Sequence, residues 1–145
     1  MDMKFIKTGI LTGVVISIVS WIVSTVVNMI WPYDVLSLGG MRPISDPVML
    51  LFFLHPWVLG FALSYIYPHV VKKESKGNYI DKGKHFGFMM WIITGVPSAF
   101  FVFSSMNYPV GFTINSIVGN LLYMLAAGVT IAWANKEKAK RKRRK

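Results

Sequence analysis

Four long apolar stretches, none containing Asp, Glu, Lys or Arg, are separated by short polar segments. That pattern leaves few options. A helix needs about 20 apolar residues to cross the hydrocarbon core of a bilayer, and there the backbone must satisfy its own hydrogen bonds. The stretches fall at about 9–31, 48–71, 86–106 and 112–135, each long enough to cross with some tilt. At 54% hydrophobic residues and a mean hydropathy of +0.50, the chain is too apolar for an ordinary soluble domain. The expected fold class is an all-α integral membrane protein: a four-transmembrane-helix bundle of two hairpins. Residues 1–135 form one membrane domain, and 136–145 a basic tail.

Charge orients this bundle. Lys4 and Lys7 precede the first stretch. Lys72, Lys73, Lys76, Lys82 and Lys84 lie between the second and third. Lys136, Lys138, Lys140, Arg141, Lys142, Arg143, Arg144 and Lys145 follow the fourth. The total is 2 + 5 + 8 = 15 of the 16 basic residues, the exception being Arg42. Four crossings put all three basic segments on one face, which the positive-inside rule makes cytoplasmic, with both termini there. A prokaryotic plasma membrane is the simplest setting. The first stretch is too long for a signal-peptide core and lacks an Ala-x-Ala site, so it is expected to be a span.

A net charge of +10 invites a nucleic-acid reading, but topology accounts for the charge, and no nucleic-acid partner is expected. The expected partners are the bilayer itself, with anionic inner-leaflet lipids, and a second copy or another membrane protein. Lys140, Arg141, Lys142, Arg143, Arg144 and Lys145 follow the last span and should lie on anionic headgroups, at about 1 kcal/mol per charge.

Chemistry is harder to find. The absence of cysteine removes thiolate metal sites and thiol–disulfide exchange. No phosphate loop, His-Glu-x-x-His, Gly-x-Ser-x-Gly or intramembrane carboxylate pair occurs. The sequence names no cofactor, no metal ligand set and no catalytic residue, and it leans away from an enzyme. His55 is the best lone candidate. Its plainer reading is a residue near the outer headgroups, bonded to a carbonyl or to Asp46.

Small and polar residues mark the packing faces: Gly9, Gly13 and Ser17, continued by Ser20, Ser24 and Asn28; Pro56, Gly60 and Ser64; Gly95 and Ala99, beside Thr94 and Ser98; and Ser116, Asn120 and Ala127. A kink is expected at Gly95–Pro97. Tyr65 and Tyr67 read as an inner aromatic belt. Polar groups gather in the outer half, which predicts an outward-facing pocket walled by Asn28, His55, Ser116 and Asn120, with Trp57 and Tyr123 as aromatic wall or floor. Asp34, Arg42 and Asp46, in the Gly- and Pro-rich first outer loop, would cover its mouth. The simpler readings are a loop salt bridge, and for Asp46 an N-cap of the second span. Two functions follow. One is a non-enzymatic subunit or scaffold that packs with itself or other membrane proteins. The other is a small transporter, channel or ligand-binding protein that uses the pocket.

Overall fold

A computed structural model describes residues 3–71 and 77–142, with side chains as far as Lys136. Among the described residues the chain is helical and has no strand. Helix α1 is Met3–Ile30. Helix α2 is Leu50–Val70, entered through a single 3-10 turn, Pro47–Met49. Helix α3 is Tyr79–Ser105. Helix α4 begins at Val110 and is built of Val110–Ile114, Asn115–Gly119 and Asn120–Lys142. All four are long and apolar enough to cross a membrane. The tail expected from 136 onward continues α4 as backbone helix to Lys142, while the side chains of Lys140, Arg141 and Lys142, and all of Arg143, Arg144 and Lys145, lie outside the described residues.

Local chemistry explains the helix starts. Asp46 accepts the Val48 N–H, and Pro47 follows it at the first helical position, where a missing N–H is harmless. Asn78 accepts the N–H groups of Ile80 and Asp81. This cap starts α3 at Tyr79, ahead of the expected 86, because a helix continues past the apolar run that marks its span. The expected break near Gly95–Pro97 takes the form of a π-helical turn, Trp91–Gly95, ending two residues before Pro97. The wider turn makes room for the proline ring, which would otherwise press on the carbonyl four residues back. A second π-helical turn, Asn115–Gly119, lies in α4.

The contacts define the topology. Gly9 meets Phe61 and Gly13 meets Trp57, so α1 and α2 run antiparallel. Gly83 meets Gly128 and Val129, and Gly87 meets Met124, so α3 and α4 do too. Val23 lies against Gly119, and Trp31 against Gly111, so α1 and α4 also run antiparallel. The helices therefore stand in the order α2–α1–α4–α3, with Met3, Val71, Tyr79 and Lys136 at one end. We call this the terminal end, and the opposite one the turn end. Helices α2 and α3 meet at the terminal end, where the rings of Tyr67 and Phe86 stand edge to face at 5.0 Å. Residues 65 and 67 point to opposite sides of a helix, so Tyr67 enters the core while Tyr65 stays exposed.

Close backbone approach is the packing device. A Cβ on Gly60 would lie 2.7 Å from both Gly13 N and the Gly9 carbonyl oxygen. A Cβ on Gly128 would strike the Gly83 carbonyl oxygen and lie 2.9 Å from Gly87 N. Each hairpin thus seats a Gly-x-x-x-Gly pair of its first helix on a single glycine of its second. Association in lipid depends on such closeness, since lipid competes equally for apolar side chains. The sequence pointed to Gly95 and Ala99 as the packing residues of α3. Ala99 is buried, but Gly83 and Gly87 are what let α3 approach α4; Gly83 lies before the apolar run expected from 86, and Gly87 is its second residue. Ile16, Leu63, Phe86, Met90, Met124 and Ile131 fill the core from mid-depth to the terminal end. Lys136 adds a tie, its ammonium 4.3 Å from the centre of the Tyr79 ring. The outward faces are apolar: Trp21, Phe100 and Phe103 are 72%, 72% and 71% exposed. Hydrocarbon, not water, is the solvent that suits such a surface.

Candidate functional site

At the turn end, the outermost residues of the expected pocket take local roles. The Asn28 side-chain Oδ1 accepts the Tyr33 N–H at 2.8 Å, closing the turn after α1. Asp34 caps a short 3-10 turn through the Leu36 N–H. Arg42 pairs with Asp46 at 2.7 Å, four residues on. That guanidinium and then the Val48 N–H hold the Asp46 carboxyl below its ordinary value. The three loop charges therefore form two caps, Asp34 and Asp46, and one surface pair, Arg42–Asp46. His55 is exposed on α2. Trp57 lies against Gly13, in the α1–α2 interface.

A different asparagine joins the helices here. Asn115 Nδ2 donates to Ser24 Oγ at 2.9 Å and to the Tyr33 hydroxyl at 2.7 Å, so α4, α1 and the first outer loop share one polar knot. Burial pushes the Tyr33 hydroxyl up from its ordinary value, against a smaller opposing effect of the Asn115 bond. Tyr108 donates to the Gly39 carbonyl and ties the second outer loop to the first. Phe112 receives Tyr33 and Tyr108 edge to face, at 5.9 and 5.0 Å.

At mid-depth the two π-helical turns communicate. Trp91 Nε1 donates to the Ile117 carbonyl at 3.1 Å, from the π-turn of α3 to that of α4. The Asn120 amide donates to the Ser116 carbonyl, and Tyr123 donates to Asn120 Oδ1. Ser116, Asn120 and Tyr123 thus meet on one helix, bonded among themselves. Neither Asn28 nor His55 bonds to them. π-turns often mark functional positions, and here the Ile117 carbonyl accepts both the Asn120 N–H of its own helix and the Trp91 side chain of the neighbouring one.

A cavity of about 190 Å³ opens at the terminal end, between α1, α2 and α4. Thr8, Ser64, His69 and Asn135 are its polar walls, and Phe5, Tyr65 and Pro68 its apolar ones. Thr8 donates to the Lys4 carbonyl, Asn135 to the Ile131 carbonyl, and His69 Nδ1 lies 2.8 Å from the Tyr65 carbonyl. Ser64 Oγ is buried and has no hydrogen-bond partner.

No known family model, curated protein or solved structure matches this chain. Its function has to be read from its own geometry. Among the described residues no group of three or more His, Cys, Asp or Glu side chains is placed to hold a metal ion. The terminal-end cavity was missed because Thr8, Ser64, His69 and Asn135 are far apart in sequence. A signal was present nonetheless. Pro68 stands four residues after Ser64 and removes the donor that the Ser64 carbonyl would have in a regular helix.

Proposed function

We propose that the chain is a multi-pass protein of a prokaryotic plasma membrane, both ends cytoplasmic, acting as a non-enzymatic subunit or scaffold. It packs laterally with itself or with other membrane proteins. The observation that carries this reading is how its polar groups are used. Thr12, Ser17, Thr25, Thr94 and Thr130 each donate to a carbonyl four residues back, while Asn115 and Trp91 bond across to neighbouring helices. The first five are thus satisfied within their own helices, the last two tie helices together, and none of these bonds is left open to a solute. The open surface is apolar instead, above all on α2 and α3, the outer members of the row. The segment Val96–Ser105 buries only Ala99, with Phe100, Phe101 and Phe103 facing out. A transporter with an outward-facing polar pocket draws less support, because Asn28 and Asn120 have partners in their own local structure and Asn28 and His55 are exposed. The basic segments at the terminal end support the orientation.

Because the chain has no cysteine, single cysteines report cleanly. In intact cells Ser45→Cys should react with a membrane-impermeant thiol reagent, and Lys84→Cys only after permeabilisation; the reverse pattern would invert the topology. Oxidative crosslinking of Leu51→Cys and Phe100→Cys in native membranes should trap a second copy or one discrete partner. An uncrosslinked chain at every outward position of α2 and α3 would rule out the subunit role.

A further inference from the structure

We propose that the terminal-end cavity binds a phosphoglycerol-type group, a phosphate ester that also carries a hydroxyl, as found in an anionic phospholipid headgroup. This rests on the membrane reading above but not on the subunit role.

The argument begins with Ser64. Its side-chain oxygen is buried and unpartnered, and the residue is only 7% exposed. Other hydroxyls of the bundle, such as Thr8, Thr12 and Thr130, bond back to their own helix. An unmade bond at a buried hydroxyl is unfavourable, so the position calls for an explanation. The backbone beside it is short of its regular donor too. Pro68 lies inside α2 and has no N–H, so the Ser64 carbonyl lacks its helical donor. Ser64 and Pro68 both line the cavity, so one wall carries an unused O–H donor and a carbonyl deprived of its partner.

The other walls complete a mixed set. Asn135 uses one amide hydrogen on Ile131 and keeps the second, together with its Oδ1. The Tyr65 carbonyl can only accept, so His69 Nδ1 carries the hydrogen of that bond and Nε2 is left for a ligand. Thr8 donates to Lys4 and keeps its oxygen lone pairs. Ser64 O–H and Asn135 N–H suit phosphate oxygens. Thr8 Oγ1 and the Ser64 carbonyl suit a ligand hydroxyl. No lining residue is acidic, so nothing in the wall repels an anion. A volume of about 190 Å³ is roughly six times the ~30 Å³ that a water takes in the liquid, room for a headgroup but not for an acyl chain. Tyr65, Pro68 and His69 belong to the last turns of α2, and Phe5 and Thr8 to the first turns of α1, the depth at which headgroups lie in a spanning bundle.

The test uses the full chain purified in detergent. Its thermal midpoint and lipid adducts by native mass spectrometry are followed with phosphatidylglycerol, with phosphatidylcholine of equal chain length, and with glycerol 3-phosphate. Phosphatidylglycerol should bind and raise the midpoint, with phosphatidylcholine weaker for want of a hydroxyl. Ser64→Ala should weaken phosphatidylglycerol about tenfold or more, as expected for a lost hydrogen bond to a charged group. Without ligand the same variant should be as stable as the parent or more so, because it removes an unsatisfied hydroxyl. Asn135→Ala provides a second reading of the same loss, and Ser105→Ala, at the other end of the bundle, should bind normally. Protection by glycerol 3-phosphate alone, with the same dependence on Ser64, would support the site with a soluble ligand. Equal binding by the parent, Ser64→Ala and Asn135→Ala, or equal binding of phosphatidylcholine, would overturn the proposal. The cysteine-labelling result would then still stand or fall separately.

Discussion

Substituting Gly128 by Ala tests the close-approach account of the fold most directly. The new Cβ would meet backbone on the facing helix, the Gly83 carbonyl oxygen and Gly87 N, so no side-chain rotation relieves it. Gly87→Ala gives the reciprocal clash, its Cβ against the Met124 carbonyl and 2.8 Å from Leu125 Cα. Ordinary contact begins near 3.4 Å, so α3 and α4 must separate by at least 3.4 − 2.8 = 0.6 Å. A radial gap of about 0.5–1 Å forfeits a quarter to a half of each dispersion contact along that seam. Overpacking of this kind costs about 1–3 kcal/mol. Alanine recovers about 1 kcal/mol through helix propensity, leaving a net loss of up to about 2 kcal/mol. Gly9→Ala should cost less, because its Cβ meets the Phe61 ring, which can swing aside. Gly39→Ala, with nothing within 4 Å, should be neutral within about 0.5 kcal/mol. The assay is reversible unfolding of the full chain in mixed micelles, read by helical circular dichroism. The order Gly128 and Gly87 above Gly9 above Gly39 is the prediction. A Gly9→Ala loss equal to or larger than that of Gly128→Ala would refute the reasoning, since backbone and side-chain obstacles would then be equivalent.

Asn115→Ala should cost about 1 kcal/mol, and a double-mutant cycle with Ser24→Ala should show positive coupling of roughly 0.6 kcal/mol, typical of interhelical bonds in bilayers; additive losses would mean that the bond contributes nothing. For pH, Asp46 is held low in the folded chain by Arg42 and Val48, so its contribution is present above the ordinary value of 3.8 and fades as pH falls below it. Tyr33 is raised from 10.0, so its contribution is intact below 10 and fades as pH rises beyond. Unfolding midpoints should therefore fall at both extremes. Asp46→Asn should flatten the acid limb and Tyr33→Phe the alkaline one, and an unchanged limb in either variant would contradict the corresponding assignment.

Most of the helical layout was legible because hydropathy is a local property. The apolar run at 9–31 announces α1 without reference to any neighbour. The cap role of Asp46 was legible for the same reason, since capping needs only the next two residues. Where α3 begins was less so: Lys82 and Lys84 read as part of the segment between the second and third stretches, because the polar end of a long apolar helix has no apolar signature. The polar residues were legible in depth but not in direction. Asn28, Asn115 and Asn120 all fall in the outer half by counting, yet one closes a turn, one joins two helices and one bonds its own helix. Counting along a helix yields height, while partnership depends on how each helix is rotated about its axis.

The sequence by itself therefore determined the helical class, the number of long apolar helices and the charge asymmetry, all quantities that sum along the chain. Only the tertiary structure decided that α1 and α4 stand at the centre of the row. It also decided that Gly83, Gly87 and Gly128 carry the second hairpin, that Asn115 and Trp91 are interhelical donors, and that Ser64 is left open beside Pro68 at the terminal end. Each of these depends on which backbones come within a few ångströms of one another. In a bilayer that selection rests on close fit and on hydrogen bonds rather than on hydrophobicity, because lipid is as good a solvent for the apolar side chains as the neighbouring helix is.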